Sequence, residues 1–242
     1  MPADAAGAPT PEITVVLPAH NEEEILATTI SEIVDGLHAR DMAVEVIVVE
    51  NGSSDATLAL AQQLAASHPE VVALTNPSAD YGRALRRGLR EARGSIVVNF
   101  DADYYDLDFL DTAVARIRTG SAGIVVGTKR GAGARDDRPW PRRLVTAGFT
   151  LILRTLFGLR ASDTHGMKAL DRAQVLPIAE RCQLDADLFD TELVLRAERA
   201  GIVVAEVPVH VVERRPARSP IARRALRTVV GLGRLRRALR QP

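Results

Sequence analysis

The sequence predicts an α/β fold with a mostly parallel central sheet flanked by helices, and three observations carry that expectation. Short apolar, β-branched runs recur at Ile13–Leu17, Val44–Val49, Val71–Leu74 and Ser95–Val98. Their apolar character is continuous rather than alternating, as in strands covered on both faces. Between successive runs lies a stretch of helical periodicity or helix-forming composition, which gives the alternating order of parallel β-α units.

The first strand, Ile13–Leu17, is ended by Pro18 and runs into A-H-N-E-E-E, where Asn21 is placed to cap a helix with acids in its first turn. That helix is expected from Glu22 to about Ala39, with Ile25, Thr29, Ile33 and Leu37 on one face. The second strand, Val44–Val49, ends in the polar turn E-N-G-S-S-D, and an Ala/Leu-rich helix follows over Ala56–Ser67. Val71–Leu74 is the third strand, Thr75–Tyr81 a loop, and Gly82–Ala92 a basic helix leading to the fourth strand. Beyond it the pattern predicts a helix over Phe109–Arg118, a strand over Ala122–Gly127 and a mobile loop over Gly131–Pro141, rich in Gly, Arg, Asp and Pro. The helix Leu144–Leu159 has an unusually continuous apolar surface, which suits either a core helix or one lying against a membrane or partner. Asp163–Lys168 is a polar turn, Ala169–Leu170 begins a short apolar element, and Asp190–Ala200 is a helix with Leu193, Val194 and Ala197 inward. Ile202–Val212 is a strand with Glu206 and Pro208 inside it, hence one at an edge or one that bends.

Composition bounds the function. At 242 residues, 46% hydrophobic and 26% charged, the chain has ample core for one large domain. The expected division is a disordered lead-in over residues 1–11, a globular domain over 12–219 and a basic amphipathic helix or tail over 220–242. Residues 1–11 lack the basic start and apolar run of a signal peptide. The Leu144–Leu159 run, broken by Arg154, falls short of the roughly 20 residues a spanning helix needs. A single Cys182 excludes an intramolecular disulfide and fits a reducing compartment. The 31 basic and 31 acidic residues balance, but ten arginines and no acid fall between Arg214 and Pro242, so the body is acidic and the tail basic. Over Ile221–Leu239 that tail alternates basic and apolar residues, with Ile221, Ala225, Val229 and Leu232 on one helical face, as suits an anionic membrane surface. No nucleic acid is expected there, because no aromatic residue is available to stack on a base. No G-x-G-x-x-G follows the first strand and no Walker loop occurs, which sets aside the common dinucleotide and NTP-binding modes.

The chemistry concentrates in Gly94–Asp106, reading G-S-I-V-V-N-F-D-A-D-Y-Y-D. Asp101 and Asp103 follow the fourth strand at its carboxyl end, where open α/β sheets bind ligands. Two carboxylates this close repel unless protons or a cation neutralise them, so a divalent metal bridging a diphosphate accounts for the pair. The same residues also suit the start of the next helix, with Asp101 or Asp103 as its N-cap.

The order V-V-L-P-A-H-N-E-E, then V-V-E-N-G-S-S-D-A-T, then Y-G-R-A-L-R-R-G-L-R-E-A-R-G-S-I-V-V-N-F-D-A-D resembles family 2 glycosyltransferases of the GT-A fold. Within them it resembles the dolichyl- or polyprenyl-phosphate sugar synthases, and the likeness continues through D-T-H-G-M-K-A-L, F-D-T-E-L and E-V-P-V-H-V-V-E-R-R. The resemblance implies a nucleotide-sugar donor, a polyprenyl-phosphate acceptor, Mg2+ or Mn2+ on Asp101 and Asp103, and a cytoplasmic, peripheral place at the membrane. It assigns Pro18, Ala19 and Glu22 to the base and ribose, with Glu50 and Asn51 standing where the family usually has aspartates. Asp80, Gly82 and Arg83 belong by the same likeness to the substrate site. Tyr105 stands where the synthases often carry a glutamine. Arg130 matches an arginine of the family's G-S-R-type turn and Arg142 or Arg143 match basic residues beyond the loop, groups that by this likeness neutralise the donor diphosphate or the acceptor phosphate. Asp163, Thr164 and Lys168 read as acceptor-side groups, with Arg214, Arg215 and Ser219 joining the substrate residues. Asp190 and Glu192 lie where the family places acceptor-site carboxylates, and both also suit the N-terminal turn of a helix. A lipid phosphate needs no strong base, whereas a soluble hydroxyl acceptor requires one of these two. Displacement from the opposite face would invert the anomeric centre. A soluble or protein acceptor, and a nucleotide-sugar-binding module without catalysis, remain the alternatives.

Overall fold

The computed structural model describes residues 10–129, 135–136, 140–185, 188–211 and 231–241. In chain order the elements are β1 (Ile13–Ala19), α1 (Leu26–His38), β2 (Val44–Asn51), α2 (Thr57–Ser67), β3 (Val71–Asn76), α3 (Tyr81–Glu91), β4 (Ile96–Asn99) and α4 (Leu107–Arg118). Then come β5 (Ile124–Thr128), β6 (Arg135–Asp136), α5 (Trp140–Phe157), β7 (Lys168–Asp171), α6 (Arg172–Arg181), α7 (Phe189–Arg199), β8 (Val204–Pro208) and β9 (His210–Val211). A final helix, α8, spans 231–238.

Seven strands form one sheet in the order β3-β2-β1-β4-β7-β5-β8, parallel except for β7. Alternate side chains of the central strand serve opposite faces. Ile13, Val15 and Leu17 pack with Ile30 and Ile33 of α1 and with Leu110 and Ala113 of α4. Val16 packs on the other side with Leu85 and Leu89 of α3, and with Val175 and Leu193 of α6 and α7. This double cover explains the unbroken apolar runs. Helix α3 approaches β1 closely because residue 88 is glycine: a Cβ there would sit 2.3 Å from Val16 Cγ1.

Several expectations change. Helix α1 begins at Leu26, not Glu22, and has no side-chain cap. Asn21 instead sits at φ +55, accepts from the Ser54 amide at 2.8 Å and donates its own amide to Ser53 Oγ at 3.0 Å. Those bonds tie the β1–α1 loop to the β2–α2 loop and take up the backbone that would have made a first helical turn. Pro18 does not end β1; the strand continues to Ala19 along β2, while the ladder to β4 stops at Val16. Proline is tolerated where one side of the strand has no ladder to feed. Helix α6 was absent from the expected elements because Pro177 interrupts its pattern. The expected strand 202–212 divides into β8, at the sheet edge, and β9, which pairs with β6; edge position and bend both occur, and Pro208 ends β8. Part of the expected loop 131–141 is therefore β6 and the start of α5, and residues 130–134 and 137–139 lie outside those described.

Of the basic tail, residues 231–241 dock on the body. Leu232, Leu235, Ala238 and Leu239 join Leu153 of α5 and Val194 and Leu195 of α7 in a third apolar cluster. Arg196 donates to the carbonyls of Ala238 (2.7 Å) and Gln241 (3.2 Å), satisfying orphan groups at the end of α8. The apolar side of this segment is thus turned inward, away from any membrane, and Arg234, Arg236, Arg237 and Arg240 face solvent. Residues 212–230 lie outside those described.

Candidate active site

The strand order reverses between β1 and β4, and in open α/β sheets the crevice beyond such a point receives ligands. Asp101 and Asp103 stand there. The main chain closes a tight turn, with Asp101 and Tyr104 exchanging amide-to-carbonyl hydrogen bonds of 3.1 Å each. Thr29 of α1 donates its hydroxyl to Ala102 O at 2.8 Å, and buried Phe100 and Ala102 anchor the turn from below. The N-cap of α4 is Asp106, whose carboxylate accepts from Asp108 and Phe109 amides. Neither Asp101 nor Asp103 caps the helix, so both are left for another task.

Burial pushes the Asp101 carboxyl up to about 6, with Asp103 and Asp190 adding to the rise and Lys168 and Lys129 opposing it. Around it lie residues from four elements. Lys168, at the start of β7, is fully buried; its Nζ is 3.0 Å from Asp190 Oδ2 and donates to Gly166 O at 2.7 Å. Asp190 is 3% exposed, and its Oδ1 has no hydrogen-bond partner. Asn99 is fully buried and donates through Nδ2 to the Tyr81 hydroxyl at 2.9 Å, leaving its Oδ1 without a partner. Burial drives the Tyr81 hydroxyl well above its usual range, and the charges of Asp101 and Asp190 push it the same way.

A second group adjoins it. Lys129, just past β5, has its Nζ 3.5 Å from Asp163 Oδ2, and Asp163 Oδ1 accepts from the His165 amide at 3.0 Å. Buried Thr164 shares a 3.0 Å hydroxyl contact with Thr191 of α7. Gly166 turns the chain at φ +100, a conformation that favours glycine, and so brings Lys168 back under the site.

On the other flank, Pro18 and Ala19 end β1 beside Glu50. Glu50 is 2% exposed rather than a solvated strand end; it accepts from Thr75 Oγ1 at 2.6 Å and from the Ser53 amide. Burial pushes its carboxyl up, but these hydrogen bonds and the neighbouring His20 outweigh that and hold it below the ordinary glutamate range. Asn51 Oδ1 accepts from the Asp80 amide at 2.9 Å, and Asp80 caps α3 by accepting from Arg83 N. Gly82 is buried in that helix, while Arg83 is exposed and pairs with Asp185 at 3.1 Å. Glu22 gives its amide to Thr57 Oγ1 at 2.8 Å.

One assigned residue leaves the site. Glu192 points to the opposite side of α7, fully buried: Oε2 accepts from the amides of Gln183 (3.0 Å) and Leu184 (2.7 Å), and Oε1 from Arg196 Nε (2.8 Å). It anchors the segment before α7. Arg130, Arg214, Arg215 and Ser219 lie outside the described residues. Conversely Tyr81, Asn99 and Lys129 enter the cluster unassigned by sequence reasoning. Tyr81 ends the expected loop Thr75–Tyr81 and Asn99 falls just past the expected strand Ser95–Val98; the signal for both is their place in Y-G-R and N-F-D-A-D.

Asp101 and Asp103 offer hard oxygen donors suited to magnesium or manganese. Among the described residues no group of three or more His, Cys, Asp or Glu comes together as a complete metal site. Two carboxylates, one driven toward protonation by burial and then by its neighbour, fit a cation whose remaining ligands come from a substrate's phosphates.

Comparison with known proteins bears on the family and the fold. The family described as Glycosyl transferase family 2 matches residues 14–175. Glycosyltransferase AglD of Haloferax volcanii is 32% identical over 210 residues, covering 85% of this chain and 34% of that protein. Dolichyl-phosphate beta-glucosyltransferase ALG5A of Trichomonas vaginalis is 26% identical over 211 residues, covering 81% and 64%. The chain therefore spans about a third of the first curated relative and just under two thirds of the second. Among solved structures, glucosyl-3-phosphoglycerate synthase from Mycobacterium tuberculosis, in complex with Mn2+ and UDP-glucose, matches with a TM-score of 0.66 at 25% identity, covering 96% of this chain and 80% of that one. The shared architecture is the GT-A fold.

Proposed function

The chain belongs to glycosyl transferase family 2, and from that membership we propose that it moves a sugar from a nucleoside-diphosphate sugar to a polyprenyl or dolichyl phosphate. The observation that carries this reading is the Asp101–Asp103 pair at the carboxyl end of β4, backed by buried Lys168. The two aspartates hold magnesium or manganese in this account, which when bound offsets the negative charge gathering on the departing diphosphate. Lys168 pairs with Asp190 and opposes the rise of the Asp101 carboxyl, and the Asn21–Ser53 and Glu50–Thr75 contacts fix the donor-side loops before substrate arrives. Glu50 and Asn51 stand at the base end, with Pro18, Ala19 and Glu22. Lys129, Asp163 and Thr164 face the acceptor.

A phosphate acceptor is ionised at neutral pH, so the reaction needs no proton removed from it. Dolichyl-phosphate relatives support such an acceptor. The second reading, a soluble hydroxyl acceptor, is favoured by the unpartnered Asp190 Oδ1, a buried carboxylate oxygen placed to take a proton. A structural neighbour named as a glucosyl-3-phosphoglycerate synthase supports that alternative.

For the lipid reading, α5 is the membrane contact we propose. It exposes Trp140 (73%), Leu144 (64%), Leu151 (62%) and Leu156 (71%), with Arg143 and Arg154 also at the surface. Such a basic, apolar helix suits the interface plane of a bilayer. Among the described residues no helix is long and apolar enough to cross one.

The test is transfer of radiolabel from UDP-glucose or GDP-mannose to dolichyl phosphate with Mn2+ or Mg2+. Label extracted into the organic phase, lost in Asp101→Ala and Asp103→Ala, is the expected result. Label that accumulates only in the aqueous phase overturns the lipid acceptor.

A further inference from the structure

The carboxyl ends of β1, β2 and β3 carry a row of paired residues. Ala19 lies opposite Glu50 in the β1–β2 ladder and Glu50 opposite Thr75 in the β2–β3 ladder, so the three share one face of the sheet. Thr75 Oγ1 donates across that row to Glu50 Oε2 at 2.6 Å, and Glu50 Oε1 accepts from the Ser53 amide. An ionised carboxylate has no proton to give, so the one hydroxyl proton of Thr75 is committed to Glu50. Towards any further partner the threonine oxygen can only accept. Glu50 is 2% exposed whereas Thr75 is exposed, so an arriving ligand meets the threonine and not the carboxylate behind it. Arg87 of α3 fixes this end of β3, donating to Thr75 O and, at 3.2 Å, to Asn76 Oδ1.

Place in the sheet narrows the ligand. In the order β3-β2-β1-β4, Thr75 stands three strand spacings, about 14 Å, from the end of β4. Beyond β4 on the other side lies the buried Lys168–Asp190 pair. A nucleoside diphosphate with its phosphates at Asp101 and Asp103 therefore has β1 and β2 to lie over, and that span brings its base, not its ribose, to Thr75.

We infer that Thr75 is a specificity-determining residue for the donor: its Oγ1 accepts from the ring N–H of the base, the imide N–H of uracil or the lactam N–H of guanine. This rests on the reading that Asp101 and Asp103 hold the cation and the diphosphate. Adenine and cytosine carry a bare ring nitrogen at that edge, an acceptor that would face another acceptor.

The experiment is calorimetric titration of the full chain, in Mn2+, with UDP, GDP, inorganic pyrophosphate, and UDP and GDP methylated at that ring nitrogen. It compares wild type, Thr75→Val and Thr75→Ser; valine keeps the β-branched shape that suits a strand. The tighter of UDP and GDP identifies the base. Its affinity is expected to fall about 10-fold in Thr75→Val and to stay within about twofold of wild type in Thr75→Ser. Pyrophosphate binding should be unchanged in both. With the methylated nucleotide, wild type should lose its advantage over Thr75→Val, because no ring N–H remains to be accepted. Wild-type nucleotide affinity in Thr75→Val overturns the role of Thr75 alone. A loss that persists undiminished with the methylated nucleotide, or that extends to pyrophosphate, belongs to a displaced Glu50 loop and overturns it as well. Failure of the wild type to bind either nucleotide overturns the donor reading and the role of Thr75 with it.

Discussion

Lys168 Nζ lies 3.0 Å from Asp190 Oδ2, and the two side chains are 0% and 4% exposed. A buried pair of this kind is held against a large desolvation cost, and removing one partner leaves the other charged and alone. Lys168 also lowers the Asp101 carboxyl, so a single ammonium serves the fold and the cation site together.

Lys168→Met is expected to destabilise the protein by about 3–5 kcal/mol, read from urea unfolding. Pairing it with Asp190→Leu should restore most of that stability, since an apolar pair can replace a buried ion pair. Transfer should not return, because Asp101 still lacks its ammonium. Restored turnover in the double variant would contradict this division of roles.

Asp101 gives a pH dependence whose sign is fixed. Its carboxyl is raised to about 6 in the folded chain, against an ordinary value of about 3.9. As pH climbs between these values the unfolded chain releases a proton that the folded chain keeps, so folding stability falls. In EDTA, Asp101→Asn should melt higher than wild type at pH 7.5 and equal to it near pH 4. Added Mn2+ should raise the wild-type melting temperature more above pH 6 than below it. A variant that melts lower than wild type at pH 7.5 without metal would refute the electrostatic account.

Glu192→Gln separates anchor from catalyst. Losing the charge that holds two amides and Arg196 should cost about 2–3 kcal/mol of stability. Turnover per folded molecule should stay within twofold of wild type; a hundredfold fall would return Glu192 to the chemistry.

How much of this was legible beforehand follows from where the signal resides. The D-A-D turn, the E-N-G-S-S-D loop and the succession of strands along the chain up to β4 were readable because short-range patterns and strand-end position carry them. Helix α6 was hidden by Pro177, and the antiparallel insertion of β7 between β4 and β5 has no local signature. Glu192 and Asp190 are indistinguishable in F-D-T-E-L; two residues apart on a helix they diverge by about 200°, so only packing reveals which one faces the sheet end. Tyr81 and Asn99 meet through the α3–β4 juxtaposition, a tertiary relation.

Gly52 tests the donor-side loop. It adopts φ +65, and a Cβ there would lie 2.8 Å from the Ser78 backbone. Gly52→Ala should destabilise by about 1–3 kcal/mol and raise the donor KM, since the strain falls between Glu50 and its Ser53 partner. An unchanged KM would separate this loop from donor binding.

The α5 surface predicts a membrane effect. Leu144→Glu with Leu151→Glu should abolish co-sedimentation with anionic vesicles while leaving the melting temperature within a few degrees, because both side chains are already exposed. Undiminished vesicle binding would exclude α5 as the contact.

The most direct measurement is anomalous diffraction at the manganese edge from a crystal soaked with Mn2+ and UDP. The account predicts a single strong peak within coordination distance of Asp101 and Asp103, adjoining the diphosphate. A peak elsewhere, with both carboxylates uncoordinated, would contradict it.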